Sequence, residues 1–222
     1  AKQKRYNTMK NIKFRTITDK NGIENVLDIV ERYSGVRLPT EYANRNKVVG
    51  AFLQDKLVAT YMVITKPDFR SLMFVPSDNW KKTNLSVTDD YDMMEINGLW
   101  ISPALKTPLM QGRIWAHLIK DIFMSKKKYV LLMRDSRNKI MERFLNMANP
   151  TTLYDGPPML MAGATSHEKI QVSFTTRWGI ILNCHKYVGE IRSRMKRAKE
   201  FEKARSYSAP VNNNAATLAQ PI

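Results

Sequence analysis

Cysteine is almost missing: Cys184 is the single thiol among 222 residues. No intramolecular disulfide can form, and the usage fits a reducing compartment, the cytoplasm. Cys184 reads as an ordinary buried thiol rather than a nucleophile. Long apolar runs are also missing. None approaches the roughly 18 residues that a membrane span needs, and no signal-peptide pattern stands at the start, so no transmembrane segment is expected. Histidine is scarce. His117, His167 and His185 are scattered over a helix, a turn and a basic tail. They form no His-x-x-x-His or Ser–His–Asp pattern, and with no regular metal-loop spacing among the acids, no metal is expected. Glycine is sparse where it would be most telling: Gly112 is the only one between residues 103 and 113.

Acidic residues are outnumbered. Thirty-six Lys and Arg face 20 Asp and Glu, a formal net charge of +16. That excess points to an anionic partner: nucleic acid, acidic lipid or a phosphorylated cofactor. Much of it sits at the two ends. Residues 1–15 carry Lys2, Lys4, Arg5, Lys10, Lys13 and Arg15 with no acid, and residues 185–206 carry eight basic side chains against three Glu. Both segments interleave charge with Tyr and Phe, a composition suited to single-stranded nucleic acid, an anionic membrane or a protein partner. Solvated, solubilising faces are the plainer alternative.

Periodicity supplies the elements. "IKFRTITDK" (12–20) alternates like a strand, and "NGIENVLDIVERYSG" (21–35) follows as a helix with Ile23, Val26, Leu27, Val30 and Tyr33 on one face and Gly35 as C-cap. "VVGAFLQ" and "LVATYMVIT" read as a hairpin joined by "DK". Residues 66–92 form a long stretch of mixed signals, which in a compact domain is functional or carries local structure. "MMEINGLWI" is a strand. The helix of 113–123 shows Ile114, Trp115, Leu118, Ile119, Ile122 and Phe123 on one face, and Thr107 with Pro108 allows it to start early. "YVLLMR" is a buried strand. Residues 135–149 read as a helix capped by Asp135 or Ser136 and striped by Ile140, Met141, Phe144, Leu145 and Ala148. "TTLYDGPP" and "KIQVSFTTR" are further strands. The tail helix has Val188, Ile191, Met195, Ala198 and Phe201 in its stripe.

The expected organisation is a basic arm (1–11), an α/β domain (12–184), a basic amphipathic helix (185–206) and a flexible tail (207–222). The strand–helix–strand unit of 93–134 requires two parallel strands with a right-handed crossover.

Within that unit, strand alternation places Glu95, Asn97 and Leu99 on one face of the strand and Met94, Ile96, Gly98 and Trp100 on the other. A buried carboxylate with a raised pKa can act as a base toward an amine, so Glu95 is the candidate base and Asn97 shares its environment; a structural carboxylate is the alternative. The start of the next helix offers free N–H groups and partial positive charge for a phosphate, with Lys106, Thr107, Gln111, Gly112 and Arg113 around it; an ordinary turn is the alternative. Nine methionines (Met93, Met94, Met110, Met124, Met133, Met141, Met147, Met159 and Met161) line or flank this region, as core filling or as walls for an acyl chain. Asp89, Asp90 and Asp92 read as a solvated loop.

The order of elements, together with "EINGLWISP", "ALKTPLMQG", "RIWAHLIKDIF" and "YVLLMRD", resembles the general N-acetyltransferase (GNAT) superfamily over residues 12–177. "MMEINGLWI" is also similar to the acidic, apolar strand of acyl-homoserine-lactone synthases. The resemblance implies a GNAT-like mixed, mainly antiparallel sheet. It implies acetyl-CoA or another acyl-CoA as donor, its pantetheine held by backbone groups at Trp100 and Ile101 and its pyrophosphate by the loop before the helix. The family's Q/R-x-x-G-x-G/A pattern is matched by Gln111 and Ala116, while Ile114 stands at its middle glycine. Phe144 aligns with the tyrosine often used there as general acid. Two functions follow as expectations. One is an acyl-CoA-dependent N-acyltransferase acting on an unknown amine. The other is a non-catalytic GNAT-like protein that binds nucleic acid or a virion assembly through its basic ends, alone or as an oligomer.

Overall fold

The computed structural model describes residues 11–80, 85, 88–105, 107–159 and 169–207. β1 (Lys13–Ile17) pairs with β2 (Lys47–Leu53), and β2 with β3 (Lys56–Ile64), all antiparallel. Between β1 and β2 lie α1 (Lys20–Ser34) and the short α2 (Thr40–Asn44). The β2–β3 turn uses Gln54 and Asp55, both at positive φ, so the strand resumes at Lys56. The stretch after β3 holds two one-turn helices, α3 (Arg70–Met73) and α4 (Ser77–Trp80), and a 3₁₀ turn at Asp90–Asp92. β4 (Met93–Ile101) then pairs antiparallel with β3 and parallel with β5 (Tyr129–Asp135), joined by α5 (Pro108–Met124). α6 (Lys139–Asn146), β6 (Thr151–Gly156), β7 (Ile170–Thr176), α7 (Arg177–Leu182) and α8 (Cys184–Tyr207) complete the chain. The seven strands form one sheet in the order β1-β2-β3-β4-β5-β7-β6. It is mainly antiparallel, with β4–β5 its parallel pair.

Apolar helix faces cover both sides of the sheet. On one side Ile23, Val26, Leu27 and Val30 of α1, with Tyr42 and Ala43 of α2, pack on Val48, Met62 and Ile64. On the other, Trp115, Leu118 and Ile122 of α5, Phe144 of α6, Ile180 of α7 and Tyr187 of α8 pack on Val49, Tyr61, Met94, Ile96 and Val130. Each fully buried Val, Leu or Ile contributes about 1.5–3 kcal/mol, so these two layers fix the sandwich. A polar bridge ties α5 to the sheet. The Tyr61 hydroxyl, buried, donates to Asp121 at 2.8 Å, and Lys47 reaches the same carboxylate at 2.8 Å.

Several boundaries depart from the periodicity, each for a local reason. β1 ends at Ile17 because Asp19 turns to cap α1, accepting from the Gly22 amide at 2.7 Å. α6 starts at Lys139 under an Asn138 cap, whereas Asp135 closes β5 and the Ser136 hydroxyl donates to Asp155. Tyr33 leaves the buried face of α1 and stands exposed. Phe123 is also exposed, at the far end of α5. Among the described side chains of α8, Tyr187 and Glu190 are buried and Val188 faces solvent. The reason is electrostatic as well as apolar. The enclosed Glu190 carboxylate binds Arg143 at 2.7 Å, Arg194 at 2.8 Å and Arg197 at 3.6 Å, and this turns that side of the helix inward.

The largest correction concerns β4. Gly98 takes φ +57°, and the β3–β4 register slips there, with Met62 opposite Asn97 but Thr60 opposite Trp100. This is a bulge, and it reverses the alternation. Leu99 and Ile101 therefore join the face of Met94 and Ile96. Trp100 crosses to the α1 side, where its ring meets Tyr33 edge-on at 6.3 Å.

Two outcomes check this architecture. Gly98→Val forces a β-branched residue into left-handed backbone, with its Cβ about 3.2 Å from Met62 Cε; it should cost about 1–3 kcal/mol in thermal or urea denaturation. An unchanged midpoint would mean that the bulge is not required. Glu190→Leu leaves three guanidiniums without their shared acceptor, and should cost about 1–3 kcal/mol and make α8 cleavable by trypsin under native conditions.

Candidate active site

β4 and β5 run as a parallel ladder only from Met93–Tyr129 to Ile96–Leu132. Beyond that point they part. A cleft of about 630 Å³ opens in the gap. Its floor is the strand edge of Ile96–Trp100 facing Leu132–Asp135. Met141 and Leu145 of α6 wall it on one face of the sheet, and Val30, Leu38, Arg70 and Phe74 wall it on the other. The cleft is thus lined from both faces, and mostly by apolar side chains.

Glu95 sits at the foot of this gap, 1% exposed. Its Oε1 accepts from Asn97 Nδ2 at 3.0 Å and from the Ser71 amide at 3.3 Å. Its Oε2 is buried without a hydrogen-bond partner, and so is the Ser71 hydroxyl. Burial pushes the Glu95 carboxyl up to about 7, against the lowering influence of the Ser71 amide and of the Arg70 charge. Glu95 itself does not line the cleft; its neighbours Asn97 and Arg70 do. Asn97 Nδ2 also reaches the Tyr42 hydroxyl at 3.4 Å, and Asn97 Oδ1 accepts from the Gly98 amide at 2.7 Å. Burial and the nearby Glu95 charge raise the Tyr42 phenol well above its ordinary value. The result is a compact polar group, Glu95–Asn97–Tyr42, with Arg70 beside it, under an apolar cleft.

The other site residues singled out from the sequence are spread more widely. Trp100 lines the cleft. Ile101 pairs with Ala59 and packs on the outer apolar cluster. Lys106 lies outside the described residues. Thr107 is the N-cap of α5 in extended conformation, but its side chain makes no cap bond. The loop before it is a turn organised by Ser102: the Leu105 amide donates to the Ser102 carbonyl at 2.9 Å and the Ala104 amide to its hydroxyl at 3.3 Å. Gln111 Nε2 donates to the Leu105 carbonyl at 2.7 Å. Gly112 lies in the second turn of α5 under α8, where a Cβ would stand 2.9 Å from Ile191 Cδ1. Arg113 reaches Asn11 at 2.9 Å. Glu95, Asn97 and Trp100 are therefore brought together at the gap, while Gln111, Gly112 and Arg113 serve contacts around α5.

Phe144 is core. It stacks on Trp115 at 4.7 Å, with the Arg194 guanidinium 4.6 Å from its ring centroid. Of the methionines, Met133 and Met141 line the cleft. Met93 and Met94 are buried in the two layers, and Met124 and Met159 are exposed. Met161 and His167 lie outside the described residues. Among the described residues no group of three or more His, Cys, Asp and Glu could hold a metal ion, and no helix is long and apolar enough to cross a membrane. Tyr42, Arg70 and Ser71 escaped the sequence reading. Tyr42 lies in a segment that reads as a loop or broken helix, and Arg70 and Ser71 lie in the long stretch of mixed signals. Only the length of that stretch marked it.

Solved structures share the architecture. FeeM, an N-acyl amino acid synthase from uncultured soil microbes, superposes with a TM-score of 0.54 over 85% of this chain and 97% of its own, at 12% identity. Arabidopsis thaliana NAA60 in complex with a bisubstrate analogue gives 0.53 over 75% and 99%, at 12% identity. A probable acetyltransferase from Staphylococcus epidermidis gives 0.52 over 75% and 99%, at 10% identity. No family model matches the chain, and no curated protein matches it by sequence. Identities of this size carry the fold and nothing finer: the chain is a divergent example of the GNAT fold.

Proposed function

We propose that this protein is an acyl-CoA-dependent N-acyltransferase. The observation that carries the proposal is the parting of β4 and β5 into a cleft lined from both faces, with a buried carboxyl of raised pKa at its foot. The names of the solved neighbours, including NAA60 in complex with acetyl-CoA, support the same class. The residues present fit a thioester arm. Leu99, Met141 and Leu145 give it apolar walls, and past Ile96 the strand edge facing β5 has no ladder partner to occupy its main-chain groups. The Ser102 turn and the first turn of α5 are the groups available to the phosphates, with Lys106 beside them in the sequence. A cytoplasmic setting belongs to the same proposal.

The chemistry assigned to the chain is modest. Glu95, ionised, takes one proton from the incoming ammonium through water. Asn97 and the Ser71 amide hold the carboxylate in place. The freed amine attacks the thioester carbon, a C–N bond forms, the C–S bond breaks, and the second amine proton leaves with the thiol. The cleft contributes alignment of the two reactants, the larger part of such catalysis. No group is assigned as general acid, because Phe144 has no proton and belongs to the core.

A second reading rests on a specific observation. The amides of Ala104 and Leu105 are already bonded within the Ser102 turn, and α8 covers Gly112, so the loop is less open to phosphate than a glycine-rich one. A non-catalytic protein that binds anions, nucleic acid among them, through residues 1–15 and 185–206 would look like this.

Isothermal titration with acetyl-CoA at about 0.3 M salt, which screens surface attraction, separates the two. The acyltransferase gives saturable one-to-one binding. The second reading gives no heat with acetyl-CoA, and nucleic-acid binding that falls steeply with salt. For the active enzyme, kcat/KM should rise with pH through a midpoint near 7 as Glu95 ionises. Glu95→Gln should lower kcat by about 10²-fold or more and abolish that midpoint. An independent readout is stability. The folded carboxyl holds its proton more tightly than the unfolded one, so the wild type should lose stability as pH rises from the ordinary carboxylate range through about 7. Glu95→Gln should be flat over that window. A wild type that is flat as well would place the Glu95 pKa at its ordinary value.

A further inference from the structure

A cation on the α1 side of the cleft makes no ion pair among the described residues, although its charge is felt by the buried Glu95 carboxyl. Arg134, on the same cleft, is fully engaged: its Nε donates to Gln171 at 2.8 Å, Nη1 to the Ser136 carbonyl at 3.1 Å, and Nη2 lies 3.1 Å from Glu142. Arg137 is held by Asp135 at 2.8–3.2 Å. Arg70 differs. Its guanidinium carbon stands 5.8 Å from the ring centroids of both Tyr42 and Phe74, and among the described residues no carboxylate comes within ion-pair distance of it. The nearest acid in the site, Glu95, spends Oε1 on the Asn97 amide group and the Ser71 amide instead. Two aromatic faces fix the plane of a guanidinium, and its fork of donors matches a carboxylate bidentately.

The surroundings say which molecule carries that carboxylate. Tyr42 and Phe74 belong to the α1 layer of the core, on the opposite side of the sheet from α5 and α6. The anion that Arg70 meets is therefore on the acceptor and not among the phosphates of the donor. Val30, Leu38, Phe74 and Ile170 make the rest of that wall apolar. Arg70 and Ser71 are adjacent in sequence, and Ser71 donates to Glu95, so the free cation and the candidate base flank the same corner. An α-amino acid has its carboxylate and its amine on one carbon, so a single ligand presents both groups to this corner.

Resting on the acyltransferase reading, we propose that Arg70 binds the carboxylate of the acceptor, and that the acceptor is a free amino acid, or a close analogue, with an apolar or aromatic side chain. The transfer is balanced as above: acyl-CoA and the ammonium of the amino acid give the N-acyl amino acid, free coenzyme thiol and one proton, with no other reactant.

The test is a matched series with the full chain at saturating acetyl-CoA, read as thiol release: phenylalanine, phenylalanine amide and phenethylamine, with leucine, leucine amide and isoamylamine in parallel. The carboxylated member of each set should exceed the others in kcat/KM by about 10²-fold or more, because an unfilled Arg70 rejects a partner lacking its anion. Arg70→Gln should raise KM for the amino acid by about 10-fold or more while changing kcat less, and collapse the ratio between amino acid and decarboxylated amine toward one; Arg70→Lys should restore part of it. Equal rates across the wild-type series overturn the proposal without any variant. So does acetyl-CoA binding, seen by titration, with no thiol release on any carboxylated amine. Failure of acetyl-CoA to bind at all is a different result: it removes the acyltransferase reading, and this assignment with it.

Discussion

Everything specific to this molecule depends on two parallel strands that stop pairing. β4 and β5 share a ladder only as far as Ile96 and Leu132. Past that point each strand keeps its outer neighbour, β3 or β7, so the sheet stays whole while its centre opens. The bulge at Gly98 belongs to the same event. It turns β4 by one residue just where the ladder is lost, and sends Trp100 to one face and Leu99 to the other. An unbroken alternation would have put Leu99 on the face of Glu95 and Asn97. Glycine is favoured at the bulge because left-handed backbone is strained for a residue with a side chain.

The opening also sets the electrostatics. Glu95 stands one residue before the end of the ladder and is paired on both edges, with Ile64 and Leu131 across from it. Full burial at that position would be costly for an ion, and the carboxyl is only partly compensated, with one oxygen bonded twice and the other not at all. A group balanced in this way changes protonation easily, which suits proton transfer far better than it suits stability. By contrast Glu190, also buried, is surrounded by three guanidiniums and acts as a structural anchor for α8. The two carboxylates show how far the surroundings, rather than the residue type, decide the role.

Much of this was legible in the sequence. The order of elements and the parallel β4–β5 pair with its crossover helix follow from periods of two and 3.6 and from the handedness rule, while the mixed, mainly antiparallel sheet is what the GNAT resemblance implies. The GNAT resemblance rested on that order. Glu95 and Asn97 were visible because a charged residue in an otherwise apolar strand is conspicuous. What escaped was of two kinds. The bulge at Gly98 was hidden because alternation assumes an unbroken ladder, and a single glycine in a strand does not say whether the strand slips. Tyr42, Arg70 and Ser71 were hidden because they reach the site through tertiary packing of short helices with no period of their own. Gly112 misled for the opposite reason: a lone glycine near a helix start looks like a phosphate contact, yet here it makes room for Ile191.

The strand order β5-β7-β6 has a consequence for how the molecule is assembled. β2, β3 and β4 are each bonded to the strand before, so that half of the sheet, with Glu95 in it, can form from pairings between successive strands. β5, the far wall of the cleft, receives its outer neighbour only from β7, whose first residue is Ile170, after α6 and β6 have gone by. During synthesis from the N-terminus, the near side of the gap is complete while the far side still lacks its support. Among the described residues β7 is the last strand in sequence, so the far wall of the cleft gains its outer support later than the near one.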